Sequence, residues 1–255
     1  MPAVAPNGWW VLRGFSLVEL LVAMAIGAVL LTGLVQIAAG ARSSYRLQES
    51  LAEVQESGRF VVDSLGSILR QSIYSDRPWS DPPSSLGFSP DTADAVTSNG
   101  DRLGILTRSD RNCFGNPNPV LDASGKPEFF LRESILELNA SKNLAHTCRY
   151  GPEQASLITQ IQREGLAQNV EAFQALYAED TDGDGYADSW VRGGEWASET
   201  RVMGFRLAVL ISSTESVTAP SPATYQVLDL AVTPAADGRL LRVFGYAQAF
   251  PGRRE

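Results

Sequence analysis

The chain has 255 residues, a formal net charge of −8, 44% hydrophobic residues, two cysteines and a single histidine. That charge leaves no whole-chain electrostatic footprint for a nucleic-acid backbone, so no direct nucleic-acid binding is indicated, and an acidic surface favours solubility outside the cell instead. With a leader and a membrane segment set aside, the length allows one core of about 150 to 200 residues.

The first predicted element is apolar. From Phe15 to Ala39 the only ionisable side chain is Glu19, and the run of about 20 or more apolar residues is long enough to cross the roughly 30 Å hydrocarbon core as a helix. An ordinary secretory signal would put a shorter apolar stretch before a small-residue cleavage site and carry no acid near its start. Here glycine comes first. A carboxylate in the bilayer costs roughly 2.5 to 3.5 kcal/mol on insertion scales, so Glu19 asks for a cationic partner, and one brought by another protein fits best. The flanking cation is Arg13, which the positive-inside tendency places in the cytoplasm.

The stretch Gly14-Phe15-Ser16-Leu17-Val18-Glu19-Leu20 resembles the class III signal of type IV pilins and pseudopilins. The resemblance implies a leader over residues 1–14, cleavage by a prepilin peptidase between Gly14 and Phe15, methylation of the new amino group on Phe15, and retention of residues 15–40 as a transmembrane and polymerisation helix. It also implies that Glu19 is neutralised by the amino terminus of a neighbouring subunit, which fixes axial register more than it adds stability, because an unpaired buried charge is what such a pair avoids. The partners implied are other minor and major pilins, the peptidase and the inner-membrane assembly platform. The location implied is a single pass in the inner membrane with the globular region in the periplasm, then an extracellular pilus. Leaders of this family are usually more basic than this one.

Beyond Gly40 the pattern turns amphipathic, and no proline occurs before Pro78. Leu47, Leu51, Val54, Gly58, Val61, Leu65, Ile68 and Ser72 alternate at spacings of four and three, which predicts one apolar stripe on a helix running from Phe15 to Tyr74, with residues 41–77 as its amphipathic half. The stripe would pack on the chain's own sheet, as in pilins, or against a second helix in a coiled coil. Gly27, Gly33, Gly40 and Gly58 each weaken the helix by about 1 kcal/mol relative to alanine.

Asp76 to Pro90, with four prolines, ends the helix as a loop. Residues 78–255 then form a β-rich region. Strands are predicted at Arg102 to Thr107, Glu128 to Arg132, Val170 to Tyr177, Arg201 to Ser212, Tyr225 to Val232 and Leu240 to Phe250. Met203, Phe205, Leu207, Val209 and Ile211 share one face of the clearest of these, and Gln154 to Leu166 is ambiguous between helix and strand. The fold class is α+β: a long N-terminal helix packed on an antiparallel sheet. The strand Asn169 to Tyr177 leading into Asp180-Thr181-Asp182-Gly183-Asp184-Gly185 is similar to PilW-type minor pilins, which implies a pilus subunit that primes assembly near the tip. A minor pseudopilin of type II secretion shares the N-terminal physics.

Within that loop Asp180, Asp182, Asp184 and Asp188 stand at positions one, three, five and nine around Gly185, and the carbonyl of Tyr186 falls at position seven. Calcium takes six to eight oxygens, and this is the first part of such a loop. Position twelve is Val191 where an EF-hand needs a bidentate glutamate, so Glu195 or water would have to complete the shell. A plain hairpin turn is the alternative, because Asp-Gly pairs form turns readily. A membrane-anchored calcium-dependent binding module that never polymerises is a further reading.

Cys113 and Cys148 fall on the side of the membrane that the topology makes oxidising, and one disulfide between them is expected. Their spacing lacks the close grouping of a zinc site. His146 is a poor metal ligand without a second histidine, and no nucleophile elbow or phosphate loop occurs, so catalysis is not expected. Trp79, Trp190 and Trp196 read as packed or loop-anchoring aromatics before they read as an adhesive surface.

Overall fold

The structure, a computed structural model, describes residues 16–70, 87–97, 99–218 and 221–250. The chain divides into two units, Met1–Leu47 and Gln48–Glu255. One helix, α1 (Leu17–Arg70), runs through both over 54 residues, about 81 Å at 1.5 Å per residue.

In the first unit every described residue of α1 faces solvent or nearly so, including Leu17, Leu31 and Ile37, each about two-thirds exposed or more. The segment is long and apolar enough to cross a membrane. Glu19 sits in the first turn, where the helix dipole favours an acid. Thr32 donates from its hydroxyl back to Ala28 O at 2.8 Å, which satisfies its one polar group inside the helix.

In the second unit the helix becomes a packing element. Its buried residues are Ser50, Val54, Gly58, Val61, Leu65, Gly66 and Leu69. The expected stripe therefore holds at Val54, Gly58, Val61 and Leu65 and drifts at its ends: Leu51 is 39% exposed, Ile68 is half-buried, and Ser50 and Leu69 lie inside. The cause is periodicity. An alternating four-three spacing repeats every seven residues and slips about 20° per heptad on a straight helix, whereas the buried set returns every 11 residues, at Ser50 and Val61, Val54 and Leu65, Gly58 and Leu69. Ser72, Tyr74, Trp79 and most of the proline loop lie outside the described residues.

The strands are β1 (Ala93–Thr97), β2 (Gly100–Ser109), β3 (Phe130–Leu138), β4 (Leu144–Gly151), β5 (Ile158–Ala167), β6 (Val170–Glu179), β7 (Ser189–Val191), β8 (Val202–Ser216), β9 (Tyr225–Val227), β10 (Leu230–Val232) and β11 (Arg239–Ala249). Nine of them form one sheet in the order β11-β8-β6-β2-β3-β4-β5, with β1 on β2 and β7 on β6. All its pairings are antiparallel except β2 against β6, which meet in parallel at Gly100 and Phe173. The remaining pair, β9 and β10, is a separate hairpin.

The α+β class expected from sequence is the observed one. On one sheet face Phe205, Leu207, Val209 and Ile211 of β8 join Phe173 and Tyr177 of β6 and Val61, Leu65 and Leu69 of α1 in the main core. The opposite face is also covered, because Ala172, Ala208 and Leu210 pack under Val227 and Val232 of the small hairpin. This double cover explains why β6 is buried along nearly its whole length instead of alternating.

Candidate functional site

Gly14 and Phe15, the expected processing pair, lie outside the described residues. Glu19 is exposed on α1 and makes no ion pair among the described residues. The carboxylate is thus presented on an apolar surface.

The acidic loop follows β6 and leads into β7. Its first member, Asp180, is 5% exposed, and its two carboxylate oxygens accept the amides of Gly183 at 2.7 Å and Gly185 at 2.8 Å. Both glycines hold positive φ, 82° and 86°, a region that side chains disfavour, so the turn that folds the amides back onto Asp180 depends on them. Burial raises the Asp180 pKa, but the amides of Gly185 and Gly183 outweigh it and leave it below the usual value. Asp188 accepts both the hydroxyl and the amide of Thr181 at 2.7 Å, and these bonds hold its carboxyl below the usual range.

Carboxylate oxygens of Asp180, Asp182 and Asp188 converge within 4.8 Å of one another. No lysine or arginine pairs with them among the described residues. Asp184 does not join the group; its oxygen accepts the amide of Tyr186 at 2.8 Å. Val191, at the twelfth position, belongs to β7 and offers no side-chain oxygen. Three hard oxygen donors in a half-open loop suit a divalent cation of the calcium type, with water filling the rest of the shell. Residues that the sequence reading did not single out hold the loop in place. Arg201 donates to Thr181 O at 2.7 Å, and Glu179 accepts the amides of Ala197 and Ser198. Thr181 was visible beside the acids, but Arg201 and Glu179 act across sequence distances that no local motif encodes.

Cys113 and Cys148 are joined, their Cα atoms 5.9 Å apart, tying the excursion between β2 and β3 to β4. His146 stands on β4 between Leu136 and Glu164, and its Nε2 is buried without a hydrogen-bond partner. Burial lowers its pKa, opposed by Glu164 and assisted by Arg132, so it is held neutral and serves as packing. Trp196 packs against Phe88 and Tyr177 at ring distances of 5.2 and 5.0 Å, an anchor of the kind expected. Trp190 is 41% exposed, with the Arg206 guanidinium 4.0 Å above its ring. Trp79 lies outside the described residues.

Comparison with known proteins adds two family matches. The family described as Type IV Pilus-assembly protein W matches residues 145–247, and the Prokaryotic N-terminal methylation motif matches residues 13–35. The first runs from β4 to β11 and contains the acidic loop; the second contains Gly14, Phe15 and Glu19. Among solved structures, the type IV-like pilin TTHA1219 from Thermus thermophilus aligns at 18% identity and a TM-score of 0.47, covering 82% of this chain and 100% of its own. No curated protein sequence matches the chain.

Proposed function

We propose that this chain, a type IV pilin with a class III signal, works as a PilW-like minor subunit that primes assembly of the pilus near its tip, in support of adhesion, twitching motility or DNA uptake. As a pilin subunit it interacts with other pilins and with the assembly machinery, is anchored in the inner membrane by its N-terminal helix, and becomes part of a pilus. Its role is structural. The observation that carries the reading is the coincidence of the methylation motif over residues 13–35 with the exposed apolar half of α1, whose one acid, Glu19, stands in the first turn.

Cleavage after Gly14 would leave a positive amino group on Phe15, four residues from Glu19, and an incoming subunit would offer that amine to the acid of its neighbour. A mismatched stagger would leave one charge unpaired in an apolar fibre, at several kcal/mol, so the pair selects register. N-terminal sequencing of the mature protein should therefore begin at Phe15, and proteomics of sheared fibres should recover it. A mature chain still headed by Met1 and missing from fibres would favour a membrane-anchored module instead. Glu19→Ala is expected to reduce incorporation at least about tenfold with processing intact; equal incorporation removes this role of the acid. Where loss of the gene abolishes protein secretion and leaves motility intact, the subunit belongs to a type II secretion pseudopilus.

The convergence of Asp180, Asp182 and Asp188 supports a second element of the reading, a calcium ion bound in the loop that follows β6. The ion would supply a positive centre that locks the loop. Isothermal calorimetry on the detergent-solubilised chain should record saturable heat at millimolar calcium or below, lost in Asp182→Asn; heat of dilution alone refutes it.

A further inference from the structure

The two edges of the large sheet are built differently. Edge strand β5 shifts register against β4 at three places and holds Arg163 at φ 48°, irregularities that keep an edge from recruiting another strand. Edge strand β11, in contrast, pairs without interruption from Leu241 opposite Ser212 to Ala249 opposite Gly204. The amide of Phe250 donates to Met203 O at 2.7 Å, which sets the phase of this antiparallel ladder. Even-numbered residues of β11 bond to β8, and the odd-numbered Val243, Gly245, Ala247 and Ala249 turn their N–H and C=O groups outward. Among the described residues no backbone group meets that outward row; the Gln248 side-chain amide donates to Ala249 O at 3.1 Å.

Side chains line both faces of this edge in a consistent way. Away from α1, Ala247 and Ala249 border a groove of about 520 Å³ whose other walls include Ala178, Gly204 and the rings of Trp190 and Tyr186, the last 75% exposed. Toward α1 stand Phe244 and Tyr246, and with them Arg242 in the same phase of the strand. Arg70 of α1 lies beside Tyr246, since both its Nη1 and that ring approach Gly66. Arg70 and Arg242 are exposed and have no ion pair among the described residues, in a chain whose net charge is −8.

From the regular open edge of β11, the groove on one of its faces and the two unpaired arginines on the other, we infer that β11 takes an additional strand: an extended, acidic, amphipathic segment of a neighbouring, non-identical subunit. Strand addition draws its affinity from backbone bonds and its specificity from alternate side chains. The incoming strand would bond along Val243 to Ala249, direct carboxylates toward Arg242 and Arg70, and seat a large apolar side chain in the groove. A second copy is a poor occupant, because it would bring another acidic body and its own arginines against these. The placement of the partner in the same fibre rests on the pilin reading above; the edge itself does not.

The test uses the full chain in detergent micelles and a labelled synthetic peptide of about ten residues, within ordinary strand length, alternating glutamate with valine and carrying one phenylalanine. Saturable binding is expected, with a lysine-for-glutamate version at least about tenfold weaker. Ala247→Pro removes one outward N–H and no bond to β8, and should weaken the glutamate peptide by about tenfold or more. The double variant Arg70→Glu, Arg242→Glu should reverse the preference to the lysine peptide, and it decides the matter should Ala247→Pro fail to fold. No binding at millimolar peptide, equal binding of the two peptides, or an unchanged affinity in a folded Ala247→Pro overturns the proposal. Self-association that the peptide competes away assigns the edge to a second copy and also overturns it. An uncut N terminus in cells would refute the fibre reading and leave the peptide result standing.

Discussion

Asp101 on β2 is 2% exposed, and its two carboxylate oxygens accept the amides of Ala95, on β1, and Ala175, on β6, at 3.0 and 2.7 Å. It stands where β2 and β6 touch in parallel at a single pair of residues, so a side chain replaces the backbone acceptor that a longer ladder would supply. Burial pushes its pKa from 3.8 to about 6; the two amides pull the other way, and Asp94 and Asp229 add to the rise. Arg192, paired to both Asp94 and Asp229, and the Tyr177 hydroxyl complete the surroundings. A carboxyl whose pKa is higher folded than unfolded favours the folded state when protonated. Its contribution is fully present below 3.8 and is lost as pH rises through about 6. At about 1.4 kcal/mol for each tenfold change in proton affinity, the span is on the order of 3 kcal/mol. Asp101→Asn, always neutral, should remove this dependence. Denaturant titrations of parent and variant at pH 4 and pH 7 should differ by that order, and parallel pH profiles would refute the assignment.

Gly58 lies in the interior of α1, where glycine costs about 1 kcal/mol relative to alanine, yet an added Cβ would fall 2.2 Å from the Phe244 ring of β11. The ring uses the missing side chain as its seat. Overpacking of this kind costs typically 1 to 3 kcal/mol, so the clash outweighs the gain in propensity, and Gly58→Ala should destabilise by about 1 to 2 kcal/mol. Phe244→Leu in the same chain should recover much of that loss, measured by thermal unfolding; a stabilised Gly58→Ala would mean that the ring swings away freely. The sequence made Gly58 visible as a weak point and could not disclose the ring above it. The same limit governs the strands. The strand expected at Arg201 to Ser212 was legible because apolar residues alternate there, and β8 runs on to Ser216, whereas β4 carries His146, Thr147 and Arg149 and is a strand because β3 and β5 flank it. The strand expected at Glu128 to Arg132 runs instead from Phe130 to Leu138, past Glu133 and Glu137. Glu133 pairs with Arg149 and accepts the Ser89 hydroxyl, and Glu137 pairs with Arg102 and Arg163, so cross-strand cations neutralise carboxylates that local polarity places outside. The acidic loop was legible because its acids and glycines are contiguous; the outward phase of β11 was not, because it depends on which partner the strand finds.

At the scale of the molecule, every buried residue among those described lies at or beyond Ser50, so the core belongs wholly to the second unit. The excursion between β2 and β3 holds no strand, only the isolated bridges Arg111 to Pro117 and Leu121 to Pro127, and Phe114 and Leu121 there are exposed. Few apolar contacts hold such a segment, and its opening free energy should be well below the global one. The Cys113–Cys148 bridge ties it covalently to the sheet, across a sequence separation of 35, beside the Cys113 amide that donates to Gln160 Oε1 on β5 at 2.9 Å. In the chain-entropy account a closure of that length stabilises by roughly 3 to 4 kcal/mol, chiefly by restricting the unfolded chain. Cys113→Ser with Cys148→Ser should therefore lower global stability by about 3 kcal/mol, and hydrogen exchange should quicken first over residues 110–129, before β6 and β8 respond. No described residue before Ser50 is buried, so a chain beginning at Gln48 should keep the parent's unfolding midpoint while the double serine variant loses several degrees. Equal exchange across the excursion and β6 would mean that the bridge restrains the whole sheet instead of one segment.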